Sequence, residues 1–273
     1  MIQEVLSRKD LSGRLPDAFS KFELRSYCRR LVGVLGDSGH RWAVIICPGG
    51  GYQMVGPTEG EPVALEFLRA GIQAFVLRYS VAPDEHPQQL LELAASVAYV
   101  RSNAARYGID RVAVCGFSAG GHLAGMLANL WHLPIIAETL GGRAEDYRPD
   151  AAILGYPVIS LEEDGGCPGC VAYMTGGELP EELSLEKSVT AQNPPAFVWC
   201  TVSDPMVPVV NTLRYVQALR EKSIPFEAHL FQNGPHAMAC ATEDSAFEAS
   251  GQSAHVAHWL ELCTEWLKGE VGK

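Results

Sequence analysis

One serine stands in a setting that suits covalent catalysis. Ser118 lies in Gly116-Phe117-Ser118-Ala119-Gly120, between a β-branched run that ends at Cys115 and an Ala- and Leu-rich segment that ends at Leu130. A serine hydroxyl is a weak nucleophile at neutral pH, so it needs a general base and a tight turn that exposes its oxygen. The two glycines permit such a turn. The pattern predicts a nucleophile at Ser118 rather than a glycine-rich turn with an idle serine.

Two later residues can supply the base and the group that orients it. In enzymes that assemble a Ser-His-Asp triad from successive strand ends, the acid and then the histidine follow the serine along the chain. Asp204 follows the apolar run Phe197–Val202, and His236 follows the predicted strand Phe226–Phe231. We predict Asp204 as the acid, with a plain Asx turn as its alternative role, and His236 as the general base.

Acyl transfer also requires hydrogen-bond donors for the oxyanion. The run Pro48-Gly49-Gly50-Gly51-Tyr52 can expose backbone N–H groups without side-chain obstruction, so we predict an oxyanion hole made by Gly50, Gly51 and the amide of Ala119. The same run lacks the Lys-Ser/Thr pair of a P-loop and the G-x-G-x-x-G spacing of a dinucleotide site. A phosphate cradle is therefore the weaker interpretation.

The predicted chemistry uses protein groups alone. An acyl-enzyme on the serine, hydrolysed by water, requires neither a metal ion nor an organic cofactor.

Tyr52, Phe117 and Met206 adjoin the predicted site residues in sequence, and we predict them as substrate contacts. Cys167-Pro168-Gly169-Cys170 resembles half of a zinc or redox site, but the sequence has no second C-x-x-C pair to complete four ligands. A plain turn is predicted there.

The elements that must position these residues alternate between short apolar runs and longer amphipathic segments. This alternation is typical of βαβ units and predicts an α/β fold, with a mostly parallel sheet flanked by helices on both faces. The predicted strands are Trp42–Cys47, Ile72–Leu77, Arg111–Cys115, Ala151–Leu154, Phe197–Val202 and Phe226–Phe231. The predicted helices run from a Thr58-x-x-Glu61 capping box to Leu68, from Leu90 towards Gly108, from the serine to Leu130, near Val209–Lys222, and through Val256 to Trp266.

Composition limits the class of protein. The chain has 273 residues, of which 47% are hydrophobic and 19% charged, so we expect one domain over residues 1–273. Residues 161–195 interrupt the alternation with glycines, prolines and glutamates, and we predict a cap over the site there. Of the eight cysteines, Cys47, Cys115 and Cys200 lie in or at the ends of strand-like runs, which favours reduced, buried thiols.

Charge and hydropathy indicate which partners to expect. The formal net charge of −11, with no basic run longer than Arg29-Arg30, argues against nucleic acid and anionic membranes as partners. The N-terminus lacks a basic segment followed by an apolar core, so a soluble cytoplasmic protein is expected. The sequence leaves open whether the segment before Trp42 pairs with a second subunit in a homo-oligomer.

Several of these motifs together resemble one known family. They are Pro48-Gly49-Gly50-Gly51-Tyr52, Leu77-Arg78-Tyr79-Ser80-Val81-Ala82-Pro83, the nucleophile segment 116–124, Gly155-Tyr156-Pro157-Val158-Ile159-Ser160 and Asp204-Pro205-Met206-Val207-Pro208. From Trp42 to the last helix the chain resembles the acetyl esterase and acetylxylan esterase-like branch of the α/β-hydrolases, which is related to the prolyl oligopeptidase superfamily. His236 departs from the family pattern, because Pro235 and Ala237 flank it where glycines are common.

The resemblance implies a function. It implies an α/β-hydrolase fold, a Ser118-His236-Asp204 triad and cleavage of short acyl esters, often acetyl groups on plant-derived sugars. The expected substrate is therefore a small acyl ester or an acetylated oligosaccharide. Two alternatives stay open: a small amidase or peptidase that uses the same triad, and a hydrolase fold that has lost catalysis and serves as a binding module.

Overall fold

The computed structural model describes residues 2–7, 22–28, 40–162, 167–177, 180–246, 249–269 and 271. Within these ranges eight strands form one sheet. The strands are β1 Ile2–Ser7, β2 Glu23–Cys28, β3 Trp42–Cys47, β4 Gln73–Arg78, β5 Arg111–Phe117, β6 Ala151–Gly155, β7 Ala196–Thr201 and β8 Phe226–Phe231. Their order across the sheet is β1-β2-β4-β3-β5-β6-β7-β8.

The sheet is mostly parallel, as predicted. The six strands from β4 to β8 in sheet order run parallel, whereas β1 pairs antiparallel with β2, and β2 pairs antiparallel with β4. The N-terminal pair was not predicted from the sequence. Its strands carry polar residues on both faces, with Glu4 opposite Ser26 on one and Arg25 on the other. The described part of this segment pairs with the chain's own sheet, with Glu23 opposite Arg78.

Helices cover both faces of this sheet. They are α1 Glu61–Arg69, α2 Gln88–Ser102, α3 Ala104–Tyr107, α4 Ala119–Leu130, α5 Pro134–Leu140, α6 Pro168–Thr175, α7 Leu185–Ser188, α8 Val210–Glu221, α9 Ala254–Ala257 and α10 Trp259–Gly269. Short 3-10 helices lie at Ala144–Tyr147, Glu181–Leu183 and Ala249–Gly251. No helix in the described part of the chain combines the length and the apolar character needed to cross a bilayer.

Two hydrophobic layers lie on opposite faces of the sheet. Along β3, Ala43, Ile45 and Cys47 point into one layer, and Val44 and Ile46 point into the other, with every one of them fully buried. Helices α2, α4 and α8 pack on the first face, and α1 and α10 pack on the second. Burial on both faces explains why the central strands read as continuous apolar runs rather than alternating ones.

Three helices differ from the sequence prediction. The helix predicted from Leu90 towards Gly108 is divided at Asn103 into α2 and α3. The capping box at Thr58 is wrong: α1 begins at Glu61 after Gly60, with no side-chain cap, because the turn before the helix carries Glu59 inward to bind another loop. The predicted C-terminal helix is divided into α9 and α10, and the hydroxyl of Ser253 caps the first of them by accepting from the N–H of Val256 at 3.3 Å.

The predicted cap contains more regular structure than a glycine-rich loop. Residues 163–166 and 178–179 lie outside the described residues, and the remainder includes α6, a 3-10 turn and α7. The predictions of reduced thiols and a plain turn are wrong at Cys167 and Cys170, which form a disulfide at the first turn of α6. Residues three apart in a helical turn lie on the same side, so the two sulfurs can meet. The six cysteines outside the cap are free and buried.

Candidate active site

Ser118 occupies the turn between β5 and α4. Its backbone has φ +52° and ψ −122°, a conformation that costs a non-glycine residue about 1–3 kcal/mol. The two glycines of the motif make this turn sterically feasible: a β-carbon on Gly116 would lie 2.0 Å from the carbonyl oxygen of Gly120. The half-buried serine is thus projected from the carboxyl edge of the central strand, as the motif predicts.

A chain of two hydrogen bonds runs from the serine through a histidine to a carboxylate. Nε2 of His236 lies 2.8 Å from Oγ of Ser118, and Nδ1 of the same ring lies 2.7 Å from Oδ2 of Asp204. The Asp204 side chain has no exposed surface and that of His236 is 10% exposed. With Asp204 accepting from Nδ1–H, Nε2 carries the lone pair that faces the serine hydroxyl.

Asp204 is held by its own turn. Its Oδ1 accepts from the N–H groups of Met206 at 2.8 Å and Val207 at 3.0 Å, while Oδ2 faces the histidine. The Asx turn and the contact with the imidazole are therefore compatible, because each uses a different oxygen of the same carboxylate. The turn leaves the side chain little freedom to leave the histidine.

The loop that carries His236 is anchored to the end of β7. The carbonyl oxygen of Gly234 accepts from the hydroxyls of Thr201 at 2.9 Å and Ser203 at 3.2 Å. The ring of Tyr156 packs edge-on against the imidazole, with 5.1 Å between ring centroids. Ala237, at a position where the resembled family often has glycine, adopts φ +59°, so the loop follows a left-handed path despite its side chain.

The glycine loop after β3 lies against the nucleophile. A β-carbon on Gly49 would fall 2.9 Å from the β-carbon of Ser118, so only glycine permits this approach. Hydrogen bonds to its backbone carbonyl oxygens hold the loop in place. The Tyr79 hydroxyl donates to the carbonyl oxygen of Pro48 at 2.7 Å, and the N–H of Gly56 donates to that of Gly49 at 2.8 Å.

The three predicted oxyanion donors lie on segments that adjoin the serine. Gly50 and Gly51 have φ +133° and +64°, values that glycine adopts without strain. Nothing lies within 4 Å of the position that a β-carbon on Gly51 would occupy, so the loop opens onto free space there. Ala119 is the first residue of α4, where backbone N–H groups have no partner within the helix and the helix dipole favours negative charge.

Sequence comparisons place this architecture among known proteins. The BD-FAE family model matches residues 36–152. Over 218 residues the chain is 37% identical to endo-1,4-β-xylanase B of Butyrivibrio fibrisolvens, a match that covers 76% of this chain and 34% of that protein. It is 28% identical over 211 residues to an acetylxylan esterase of Xylanibacter ruminicola, covering 73% of this chain and 42% of the relative. The chain thus spans between a third and a half of these two relatives.

Several solved structures match over nearly the whole length of both chains. The acetyl ester-xyloside bifunctional hydrolase of Caldicellulosiruptor lactoaceticus superposes with a TM-score of 0.77 and is 32% identical, covering 96% of this chain and 94% of that one. The chain belongs to the α/β-hydrolase esterases. For this α/β-hydrolase, both the fold and the family that the motifs resemble are confirmed.

The predicted substrate contacts divide into one accessible and two inaccessible side chains. Met206 is 70% exposed beside the turn of Asp204, and its role stays a prediction. Tyr52 and Phe117 were wrong as substrate contacts, because both side chains are fully buried. Phe117 is the last residue of β5, and its side chain lies on the face of the sheet that packs into the second hydrophobic layer.

The buried Tyr52 has a different part in this α/β-hydrolase. Its hydroxyl lies 2.9 Å from Nδ1 of His122, and Nε2 of His122 lies 2.7 Å from the carbonyl oxygen of Leu183. Burial lowers the pKa of His122 to about 4, so the ring is neutral at pH 7. Its Nε2–H donates to the carbonyl oxygen of Leu183, and its Nδ1 accepts a hydrogen bond from the Tyr52 hydroxyl. The pair connects the glycine loop to the predicted cap.

Sequence reasoning missed two further residues that touch the site. Glu59 accepts from the N–H of Gly49, and the hydroxyl of Tyr156 donates to Glu59. The sequence carried only weak signals for them. Glu59 is one of two glutamates separated by Gly60, and nothing in the pattern says which is buried. Tyr156 lies in a motif that resembles the family, at the carboxyl end of β6, where site residues of parallel sheets collect.

Proposed function

We propose that this α/β-hydrolase is a serine esterase that cleaves carboxylic esters of short acyl groups through an acyl-enzyme on Ser118. The observation that carries the proposal is the unbroken line from Ser118 Oγ through His236 to Asp204, with separations of 2.8 Å and 2.7 Å. Membership of the esterase family supports it. No other group is needed to activate the serine.

The first half of the reaction forms the acyl-enzyme. His236 Nε2 takes the proton of the Ser118 hydroxyl as its oxygen attacks the ester carbonyl, and the carbonyl oxygen becomes the oxyanion of a tetrahedral intermediate. Collapse of the intermediate breaks the bond to the alkoxy group, and His236 returns the proton to the departing alcohol. Asp204 holds the imidazole in the required tautomer and stabilises the cation while it exists.

The second half repeats these steps with water. His236 removes a proton from a water molecule that attacks the acyl carbon, and then protonates the leaving Ser118 oxygen, which releases the carboxylic acid. Both tetrahedral intermediates carry their negative charge at one oxygen, and we assign its stabilisation to the N–H groups of Gly50, Gly51 and Ala119. Loss of one such donor costs about 3–4 kcal/mol of transition-state stabilisation in comparable sites.

The proposed substrate is an acetyl ester on a xylose-containing oligosaccharide. The support comes from the relatives: one is called an acetylxylan esterase, another an acetyl ester-xyloside hydrolase, and a third a xylanase. We assign the alcohol side of the substrate to the predicted cap and to Met206, which is 70% exposed. Because Gly51 faces free space, an extended alcohol can approach the glycine loop without a steric block.

A serine variant tests the reaction type. Ser118→Ala removes the nucleophile without adding volume, so turnover of p-nitrophenyl acetate should fall by about three orders of magnitude or more while the melting temperature is kept. Ser102→Ala is the matched control, because Ser102 is exposed and donates only to the carbonyl oxygen of Tyr99 in its own helix. Turnover by Ser118→Ala at the wild-type rate would contradict the proposed role of Ser118 as nucleophile.

A substrate panel tests the substrate class. Rates on acetylated xylo-oligosaccharides, on p-nitrophenyl esters of increasing chain length and on 4-nitroacetanilide should rank short acetyl esters first. Faster turnover of the anilide would favour the amidase alternative. A preference for acyl chains of about eight or more carbons would overturn the acetyl-ester proposal. A chain that is neither active nor labelled at Ser118 by a fluorophosphonate is a binding module.

A further inference from the structure

A buried carboxyl group lies against the glycine loop, close to the nucleophile. Glu59 is only 4% exposed, and its Oε2 accepts from the N–H of Gly49 at 2.6 Å. A β-carbon on Gly49 would fall 2.8 Å from this oxygen and 2.9 Å from the β-carbon of Ser118. The carboxyl group and the nucleophile therefore close the same space beside Gly49, one residue before the first predicted oxyanion donor.

The other oxygen of the same carboxyl group reaches a second loop. Oε1 of Glu59 accepts from the Tyr156 hydroxyl at 2.8 Å, and that hydroxyl accepts from the N–H of Ala239 at 2.9 Å. Ala239 lies three residues after His236, and the Tyr156 ring also packs against the imidazole. One chain of hydrogen bonds thus joins the glycine loop to the loop of the general base.

The loop of the general base needs such an anchor. Ala237, Ala239 and Ala241 have φ values of +59°, +48° and +56°. Each left-handed alanine costs about 1–2 kcal/mol, so this path persists only where its surroundings impose it. Ala239 is held on both sides, by the Tyr156 hydroxyl at its N–H and by the indole N–H of Trp259 at its carbonyl oxygen, at 2.9 Å.

The contacts of Glu59 favour a carboxylate that only accepts. Each of its oxygens accepts a hydrogen bond, one from the N–H of Gly49 and the other from the hydroxyl of Tyr156. Burial raises the pKa of the Glu59 carboxyl, and the two hydrogen bonds and the nearby His236 oppose that rise. A buried acceptor with two donors in place is costly to disturb, because removal of one partner leaves the other without a hydrogen bond.

We propose that Glu59 and Tyr156 act together as positioning residues, which hold the predicted oxyanion donors and His236 in a fixed relation on either side of Ser118. The proposal rests on the proposed esterase function, because it names what keeps that machinery assembled. Neither residue touches the substrate. Supporting residues of this kind change activity by about 10- to 100-fold when their hydrogen bonds are removed.

Two near-isosteric variants separate positioning from general stability. Tyr156→Phe removes the hydroxyl and keeps the ring against the imidazole, and Glu59→Gln replaces one acceptor by a donor without loss of volume. The number of competent sites is counted by complete fluorophosphonate labelling, and kcat on p-nitrophenyl acetate is expressed per labelled site. Glu61→Gln, at an exposed glutamate two residues further on, and Tyr99→Phe, at a half-buried tyrosine on α2, are the matched controls.

The expected result is a fall in kcat per labelled site of about 10- to 100-fold for each variant, with KM within about threefold of wild type, and unchanged values for both controls. The double variant should lose little more than either single one, because one hydrogen-bond chain is broken in each case. A lower melting temperature or labelled fraction with wild-type kcat per site, or fully additive losses, would overturn the proposal.

The rate of fluorophosphonate labelling keeps this test separate from the proposed function. Labelling requires an activated Ser118 but no ester, so slower labelling in Tyr156→Phe and Glu59→Gln supports positioning even where the natural ester is wrongly identified. If wild type hydrolyses the ester, Ser118→Ala does not, and the two variants match wild type in kcat and labelling rate, then the positioning proposal alone fails. A wild-type chain that is neither active nor labelled overturns both proposals.

Discussion

The carbonyl oxygen of Cys47 occupies the space that a side chain on Gly120 would need, 2.0 Å from the position of its β-carbon. Cys47 ends the strand before the glycine loop, and Gly120 is the second residue of the helix that follows Ser118. The contact therefore brings the nucleophile turn and the glycine loop together backbone to backbone. No rotamer change can relieve an added methyl group, because the atom that it meets belongs to the main chain.

We expect Gly120→Ala to disrupt the site and the fold together. The two segments must separate to admit the methyl group, which costs about 3 kcal/mol or more and moves the glycine loop away from Ser118. The unfolding free energy and the rate of fluorophosphonate labelling should both fall. Gly269→Ala is the control, since a β-carbon there meets nothing within 4 Å. Equal stability of the two variants would contradict this close approach.

Asp204 offers a test that separates orientation of the histidine from stability. In Asp204→Asn the side-chain oxygen can still accept from the N–H groups of Met206 and Val207, but the amide nitrogen that faces His236 favours the wrong tautomer. We expect kcat to fall by about three to four orders of magnitude with the melting temperature nearly unchanged.

Asp204→Ala is the companion variant, because it also removes both turn hydrogen bonds. It should lose activity to a similar extent and, in addition, about 1–3 kcal/mol of unfolding free energy. Differential scanning calorimetry beside steady-state kinetics distinguishes the two variants. If Asp204→Asn kept more than about a tenth of wild-type kcat, Asp204 would not be the group that orients the base.

The sequence predicted those site residues whose position depends on the strand they follow, and it missed those held by distant partners. Ser118, Asp204 and His236 each follow a predicted strand, and parallel strands bring their carboxyl ends to one edge, so their proximity could be expected from strand order. The inward turn of Glu59 could not be expected, because it depends on a partner ten residues earlier and on Tyr156, 97 residues later. Long-range hydrogen bonds of this kind leave no periodic pattern.

Residues next to a motif were poor guides to the pocket. Phe117 precedes the nucleophile, but alternation along β5 directs its side chain to the face opposite that of its neighbours, where it packs against Tyr156 and Trp259. The central strands were predicted well because they are buried on both faces. The edge pair β1 and β2 was not, because mixed polar sequences there depend on the sheet they join.

The disulfide between Cys167 and Cys170 can be tested by counting free thiols before and after reduction. The chain has eight cysteines, and the disulfide between Cys167 and Cys170 leaves six. Because those six are buried, a thiol reagent should titrate six groups after denaturation without reductant, and eight after reduction. In Cys167→Ser/Cys170→Ser, six thiols are expected under both conditions. Eight thiols in unreduced wild type would show that the pair is not joined in solution.

The buried carboxyl group of Glu92 should make the unfolding free energy fall as the pH rises. Burial raises the pKa of its carboxyl to about 7 from an ordinary value of 4.5, and hydrogen bonds from Ser80 oppose that rise. A folded-state pKa above the unfolded one means that the contribution to stability is complete below pH 4.5 and is lost as the pH rises through 7. Glu92→Gln resembles the protonated carboxyl and cannot ionise, so it escapes this loss.

We therefore expect the unfolding free energy of Glu92→Gln, relative to wild type, to increase by about 2–3 kcal/mol between pH 4.5 and pH 8, measured by urea denaturation. The neutral His122, whose pKa is lowered to about 4 by burial, acts in the opposite direction, because the unfolded chain alone takes up its proton between pH 6.5 and 4. That effect is common to both proteins and cancels in the difference. A pH-independent difference for Glu92→Gln would mean that Glu92 ionises equally in the folded and unfolded chains.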